Sequence, residues 1–449
     1  MISTNNPAIS TSQIKAFPKD IFLLDDFKDL VSRQFEFIKP RFPFRPKLYA
    51  PVDYIIPVLY SMTAHISIHH ACEELNELAI TAAEETFNSN IKVYADGKRK
   101  RRLVPHQTSV NKFLAHFTEK TTKEFFGTLL TELNERIRKR VFKRNPVRFI
   151  ADNTKYPYYG KEKTDTEIKI PKLPGTSYGR MFQGHSIQAS GIHLFVEFNE
   201  IRKGMYRSAP VVPSIEWLKF LGYEISYALL DREFYRATLC LDLKRTDTPF
   251  VMPSKKFAKI IKEIRDYLYF NRDLVDDYLF SQSANQYPNQ SSVTLHLAFI
   301  GDHGYTADEL RLKYHTGQLY YKDFIGRMKG FFSTISVWAS EKRYCGHLIR
   351  CYKIRWNIET GFSKLNSIHE SYRYRHSEQQ LIGLYIRSLI YNNWQLWRKY
   401  VLETSTTSSD GALNLYIRKY NSFISNLLLD HVLSRLKSCN SRKKEVYFM

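Results

Sequence analysis

The sequence predicts an α/β protein: a mixed sheet with flanking helices, placed between an N-terminal helical region and a set of C-terminal helices. Three observations carry this expectation. Between residues 147 and 248, β-prone runs alternate with helical ones; two of those runs, Val147–Ala151 and Tyr227–Leu230, stop at an aspartate; and the chain before residue 145 carries apolar residues at helical spacing among basic clusters.

Composition bounds the rest. A chain of 449 residues is long for one core, so two or three domains are expected, and 43% hydrophobic with 14% aromatic residues suits a globular protein. Lys and Arg number 67 against 45 Asp and Glu, a formal net charge of +22. That excess calls for a polyanionic partner, nucleic acid in the first place and anionic lipid as the alternative. There is no apolar run of about 18 residues, and Met1–Asn6 lacks the basic-then-apolar layout of a signal peptide, so a cytoplasmic protein away from membranes is expected. The five cysteines are scattered without a Cys-x-x-Cys pair, which excludes a zinc ribbon and a disulfide framework and leaves reduced thiols.

Taken in order, Asp20–Phe37 and Val52–Phe87 read as helices, the second interrupted at Pro57, with a Pro-rich connector at Pro40–Pro51. Within the second, His65, His69 and Cys72 recur at i, i+4 and i+7, a ligand-like spacing that lacks a fourth member; Ile66, Ile68 and Ala71 beside them favour packing. Lys98, Arg99, Lys100, Arg101 and Arg102 follow in direct succession, too repulsive for a packed element and suited to a loop against phosphates. Thr108–Leu114 opens another helix, and Arg136–Arg140 closes a long one, where positive charge offsets the helix dipole and remains available to phosphate.

After Val147–Ala151 comes Asp152 and then the turn-rich stretch Asn153–Gly160. An aspartate there can simply form a turn, or it can present a carboxylate beyond a sheet edge. Gly191–Phe198 reads as a strand and Val212–Leu221 as a helix opened by Pro213 and Ser214; Tyr227–Leu230 then ends on Asp231. A third acid, Glu359, belongs to the helix-like stretch Cys351–Leu365. Tyr352, Arg355 and Glu359, spaced by three and four residues, share one face there, with Ile354, Ile358 and Leu365 on another. An Arg355–Glu359 ion pair on a solvated helix would give the same spacing. Three carboxylates without His or Cys form a hard-oxygen set that suits two Mg²⁺ ions, as phosphodiester chemistry requires.

The stretches Phe149–Asp152, Leu229–Tyr235 and Tyr352–Glu359 together resemble the Asp-Asp-Glu (DDE) transposases of prokaryotic insertion sequences, and more narrowly the cut-and-paste group typified by insertion sequence four. The resemblance covers roughly residues 147–375. It implies a ribonuclease-H-like catalytic domain interrupted by a β-rich insertion between the second Asp and the Glu. It further implies Asp152, Asp231 and Glu359 as catalytic and metal-binding residues, with Mg²⁺ or Mn²⁺ as cofactor. Double-stranded DNA is the implied partner, both transposon terminal inverted repeats and target, bound by a homodimer in the prokaryotic nucleoid. In the family pattern Tyr352, Arg355 and a lysine seven residues past the glutamate contact DNA. Tyr352 and Arg355 match, but the third position is Asn366, so the nearest lysine, Lys364, takes that expectation. Glu233 stands where many members have a small residue.

The remaining elements follow that frame. Phe257–Phe270 reads as a helix, Ser292–Ile300 as an alternating strand, Gly330–Ser336 as a β-prone run returning to the sheet, and Ser340 as the cap of the helix carrying Glu359. Leu381–Tyr400 and Leu413–Leu436 read as helices. The expected division is therefore 1–145 DNA-binding, 146–248 catalytic, 249–339 insertion, 340–403 catalytic with the glutamate, and 404–449 C-terminal. A nuclease of the same fold, or a DNA-binding protein descended from a transposase, would share much of this pattern.

Overall fold

The computed structural model describes residues 24–44, 49–87, 104–142, 145–161, 163–270, 274–282, 291–301, 305–336, 341–368, 377–404 and 428. The Lys98–Arg102 run and most of the expected helix Leu413–Leu436 lie outside them. Two compact units emerge, Ile137–Phe362 and the combination of Met1–Arg136 with Ser363–Met449.

The unit Ile137–Phe362 is built on a nine-stranded mixed sheet. Strand β1 (Val147–Pro157) lies antiparallel to β3 (Thr176–Ala189), which also pairs β2 (Glu167–Leu173) and β4 (Ile192–Ile201). On its other side β1 runs parallel to β5 (Ile225–Leu230), and β5 parallel to β6 (Phe250–Pro253). Parallel neighbours need crossovers. The chain supplies one on the way into β5 with helix Val211–Phe220, and one between β5 and β6 with helix Ala237–Arg245. The centre of β1 is accordingly apolar without alternation: Phe149, Ile150 and Ala151 are all fully buried, as befits a strand covered on both faces.

Two sequence expectations change here. Asn153–Pro157 is strand rather than turn, because β1 continues by pairing with Gly179–Gln183 of β3, whose buried Met181 and Phe182 hold it in the sheet. Strands β2 and β3 themselves were not anticipated. Residues 249–339 build onto the sheet through β9 (Met328–Ser333), β8 (Ser291–Gly301) and β7 (Leu274–Gln282), joined in antiparallel succession to β6, with helices Ala258–Phe270, Ala307–His315 and Tyr321–Arg327.

The second unit is helical. Helices Leu24–Ile38, Pro51–Ala64 and Gln107–Ala115 meet in an aromatic cluster, where the Phe113 ring stacks on Tyr54 and sits edge-on to Phe42. On Ser377–Thr404, buried Asn392 donates from Nδ2 to Asn134 Oδ1 on Thr128–Ile137 at 2.8 Å, so two polar groups share one buried bond. The expected single helix Val52–Phe87 is two, Pro51–Ala64 and Ile68–Phe87. Pro57 does not interrupt the first; the break comes at His65, whose left-handed backbone (φ 59°) caps it. None of the described helices is long and apolar enough to cross a membrane.

Candidate active site

Sheet register brings the two aspartates together. Ala151 of β1 lies opposite Leu230 of the parallel strand β5, so the residue after each, Asp152 and Asp231, stands about one strand spacing (~4.8 Å) from the other. Each carboxylate is fixed by a backbone donor: Asn153 N–H donates to Asp152 Oδ1 at 2.8 Å, and Arg232 N–H donates to Asp231 Oδ1 at 2.7 Å, where a short 3-10 turn begins.

The glutamate arrives on a helix with a corner in front of it. The expected continuous helix through Cys351–Leu365 is interrupted at Ile354–Arg355, giving Glu341–Lys353 and Trp356–Ser367. Through the corner the backbone changes to three-residue closures, Arg355 N–H to Tyr352 C=O at 2.9 Å and Ile358 N–H to Arg355 C=O at 3.0 Å. Glu359 therefore falls in the first turn of a new helix, where the dipole favours its charge. That first part of the helix lies hard against the sheet. A Cβ on Gly184 of β3 would stand 2.6 Å from the Phe362 ring, and one on Gly361 would stand 2.8 Å from the His193 ring, so only glycine at these two positions allows the approach.

Arg355 links the acids. At 7% exposure it is buried, with Nη1 3.2 Å from Asp152 Oδ2 and Nη2 2.5 Å from Glu359 Oε1. The sequence alternative of an Arg355–Glu359 pair is thus present, but as half of a bridge. Burial works against its charge, yet Tyr352, Asp152, Asp231 and Glu359 outweigh that and raise its pKa. Among the described residues, its Nε has no hydrogen-bond partner. Asp152 responds in the opposite sense. Burial pushes its carboxyl up to about 6, with the charges of Asp231 and Glu359 adding to the rise and Arg355 and the Asn153 N–H opposing it. The Tyr352 phenol, packed edge-on against Phe331 and beneath the Arg355 guanidinium, is raised chiefly by burial.

Asp231, Tyr352, Arg355 and Glu359 line one cleft of 1370 Å³, together with Arg232, Lys255, Lys256, Lys329 and Lys353. A cleft lined by two of the acids and by these five cations attracts a polyanion while offering hard oxygen ligands.

Other expectations find different places. Glu233 is no spare acid: Arg207 Nη1 at 2.6 Å, Asn153 Nδ2 at 3.0 Å and Lys155 Nζ at 3.4 Å engage it, and despite burial those cations hold its pKa low. Lys364, five residues past Glu359, sits about 140° around the helix from it. Sequence reasoning missed the polar chain that backs Asp152. His185 meets Gln183 at 2.7 Å, and Gln183 donates to Asn153 Oδ1 at 3.1 Å, next to the catalytic candidate; the signal was a run of polar residues on β3 in a strand too buried to be solvated. The His65–His69–Cys72 pattern does not form a shared face, since His65 lies in the break between helices and Cys72 is fully buried. Among the described residues, the group of three His, Cys, Asp or Glu whose ligand atoms lie within 4.8 Å of one another is His69, Glu73 and His106, and not the three acids, two of which have the Arg355 guanidinium between them.

No protein-family model matches this chain, and no curated protein does. Among solved structures it is similar to the cryo-EM structure of a piggyBac transposase synaptic complex with hairpin DNA, at 12% identity and a TM-score of 0.43, over 95% of this chain and 81% of that one.

Proposed function

We propose that this chain is a DNA transposase that cuts at the ends of an insertion sequence and joins them to target DNA, a cut-and-paste reaction on phosphodiesters. The observation that carries the reading is the side-by-side placement of Asp152 and Asp231 at the ends of parallel strands, with Glu359 tied to the first of them through Arg355, beside a cleft that Asp231, Arg355 and Glu359 line together with five further cations.

The donor set suits the implied cofactor. Asp152, Asp231 and Glu359 offer only carboxylate oxygen, and the half-buried Asp152 carboxylate gains from any neighbouring cation, which fits two Mg²⁺ ions with Mn²⁺ as a substitute. Bound there, divalent ions supply a nucleophile at neutral pH and charge stabilisation at the leaving oxygen. The chain's own residues position the substrate. Arg232, Lys255 and Lys329 draw the phosphate backbone into the cleft, and the unpaired Arg355 Nε is a buried donor available to a phosphate oxygen. Tyr352 keeps the guanidinium in place from the side. The basic N-terminal region 1–145, including Lys98–Arg102, supplies affinity for terminal repeats, and a homodimer holds the two ends.

The test is an end-cleavage and strand-transfer assay on DNA carrying the element's own terminal repeats, with Mg²⁺ and purified protein. Cut ends joined to target by the wild type, both lost in Asp231→Ala with end binding retained, support the reading. Cleavage without joined product would make the chain a nuclease, and binding without cleavage would make it a DNA-binding descendant.

A further inference from the structure

A second cluster of metal-ligating side chains lies in the helical unit, apart from the acids. His69 and Glu73 are one turn apart on Ile68–Phe87, and His106 is the residue that caps Gln107–Ala115. Their ligand atoms fall within 4.8 Å of one another, and the His69 and His106 rings meet edge to face at 6.3 Å between centroids. Two imidazoles and a carboxylate are the donor set of a three-ligand zinc centre, which leaves a fourth, tetrahedral position to water. Ligands on a zinc ion at 2.0–2.1 Å stand roughly 3.4 Å apart, so side-chain rotations of about an ångström close the present arrangement onto a metal.

Two further features fit such a centre. The first is rigidity. One turn beyond Glu73, Asn76 donates from Nδ2 to Val104 C=O at 3.2 Å and accepts from Val104 N–H at 3.0 Å, so the segment leading into His106 is already fastened to the helix that carries the other two ligands. The second is the setting of one ring. His106 Nδ1 accepts from Thr108 N–H at 3.2 Å, which orients the ring by its cap; a metal on Nε2 moves the ring proton to Nδ1, which exchanges that bond for one to Thr108 Oγ1 at 3.1 Å.

We propose that His69, Glu73 and His106 bind one Zn²⁺ ion, which fastens the helix Ile68–Phe87 to the start of Gln107–Ala115. The chain between these ligands contains Lys98–Arg102, five cations in succession. Asn76 and Val104 already join the two sides of that stretch, and the ion, just outside them, adds a second tie at the same place. Its nitrogen donors set it apart from the carboxylate cleft, whose hard oxygen donors select a different metal.

The full-length protein, stripped with chelator and dialysed against Zn²⁺, should retain one zinc per chain by elemental analysis, and Co²⁺ in its place should give the intense visible bands of tetrahedral coordination. His69→Ala and His106→Ala should each weaken zinc binding by about 100-fold or more, since loss of even an outer-shell partner costs about 10–100-fold, while Asp231→Ala and His315→Ala leave it unchanged. Zinc should raise Tm for the wild type and for Asp231→Ala and leave Tm of Glu73→Gln where it was. His69 and His106 are exposed, so these variants are expected to fold, with circular dichroism as the check. Wild-type protein that retains no stoichiometric zinc, or zinc that survives the double variant of His69 and His106, overturns the proposal. Loss of zinc from Asp231→Ala would place the ion in the other cleft and overturn it as well.

Discussion

Arg355 Nη1 lies 3.2 Å from Asp152 Oδ2, joining residues 203 positions apart in the chain across the gap between a broken helix and an interior strand of the sheet. The same guanidinium holds Glu359 with its other nitrogen. A residue that the family resemblance implied would contact DNA is thus buried among the acids, a cation within the carboxylate set.

Replacing Arg355 should therefore affect both chemistry and fold. Arg355→Ala leaves the half-buried Asp152 carboxylate without its cation, a loss on the order of 2–3 kcal/mol, and we expect lower Tm with DNA cleavage reduced at least as strongly. Arg355→Lys keeps charge but loses the planar fork that reaches Asp152 and Glu359 at once, so partial recovery of Tm with little recovery of cleavage is expected. Full activity in either variant on pre-cut and uncut ends would remove the positioning role.

Asp152 gives the protein a signature in acid. Its folded pKa of about 6 exceeds the ordinary 3.8, so the native state binds more protons than the unfolded chain between those values. Its contribution to stability is complete below pH 3.8 and is lost as pH rises through 6, on the order of 3 kcal/mol in all. Thermal melts of wild type should fall across that window relative to Asp152→Asn, and Mg²⁺ should restore wild-type Tm above pH 6 without moving the variant. Parallel curves for the two proteins would show that Asp152 does not titrate there.

Glu167 should behave in the contrary way. Burial alone would raise its pKa, but the Thr164 N–H at 2.8 Å, Arg180 Nε at 2.6 Å and two threonine hydroxyls bring it to about 2. That stability is present above pH 4.5 and is lost only as pH falls toward 2. Glu167→Gln strands Arg180, itself 4% exposed, and should cost about 3 kcal/mol at pH 7 by denaturant titration. A midpoint unchanged from wild type would mean that the pair contributes nothing net.

Gly184→Ala is expected to separate chemistry from binding. Its Cβ would stand 2.6 Å from the Phe362 ring and push the glutamate's helix off β3 and β4. A displacement of about an ångström at Glu359 should lower cleavage on the order of 100-fold while end binding, supplied by many cations, changes little. Equal losses in both assays would indicate a general folding defect instead.

The parts legible in the sequence were those set by local pattern. Tyr227–Leu230 and Val147–Ala151 are strands because their apolar runs are covered on both sides, and the acids at their ends are adjacent because the strands are parallel neighbours. What failed depended on distant partners. Asn153–Pro157 carries turn-forming residues, yet pairing with β3 overrides them; the corner at Ile354–Arg355 has neither proline nor glycine, and accompanies the reach of Arg355 to an acid on another element. Glu73 and His106 escaped notice because only the fold brings the second histidine to the first.

The parallel register of β1 and β5 also sets the order in which the protein can mature. Strand β1 cannot meet β5 until β2, β3, β4 and the helix Val211–Phe220 have been made and folded back, and Glu359 follows only after β6 to β9. Contacts so remote in sequence form slowly, because chain closure costs entropy before pairing repays it. During synthesis the two aspartates become neighbours late and their glutamate later still, whereas the helices of residues 24–136 emerge first. The helical unit closes last, since the helix Ser377–Thr404 that bonds Asn134 through Asn392 is made only after Glu359.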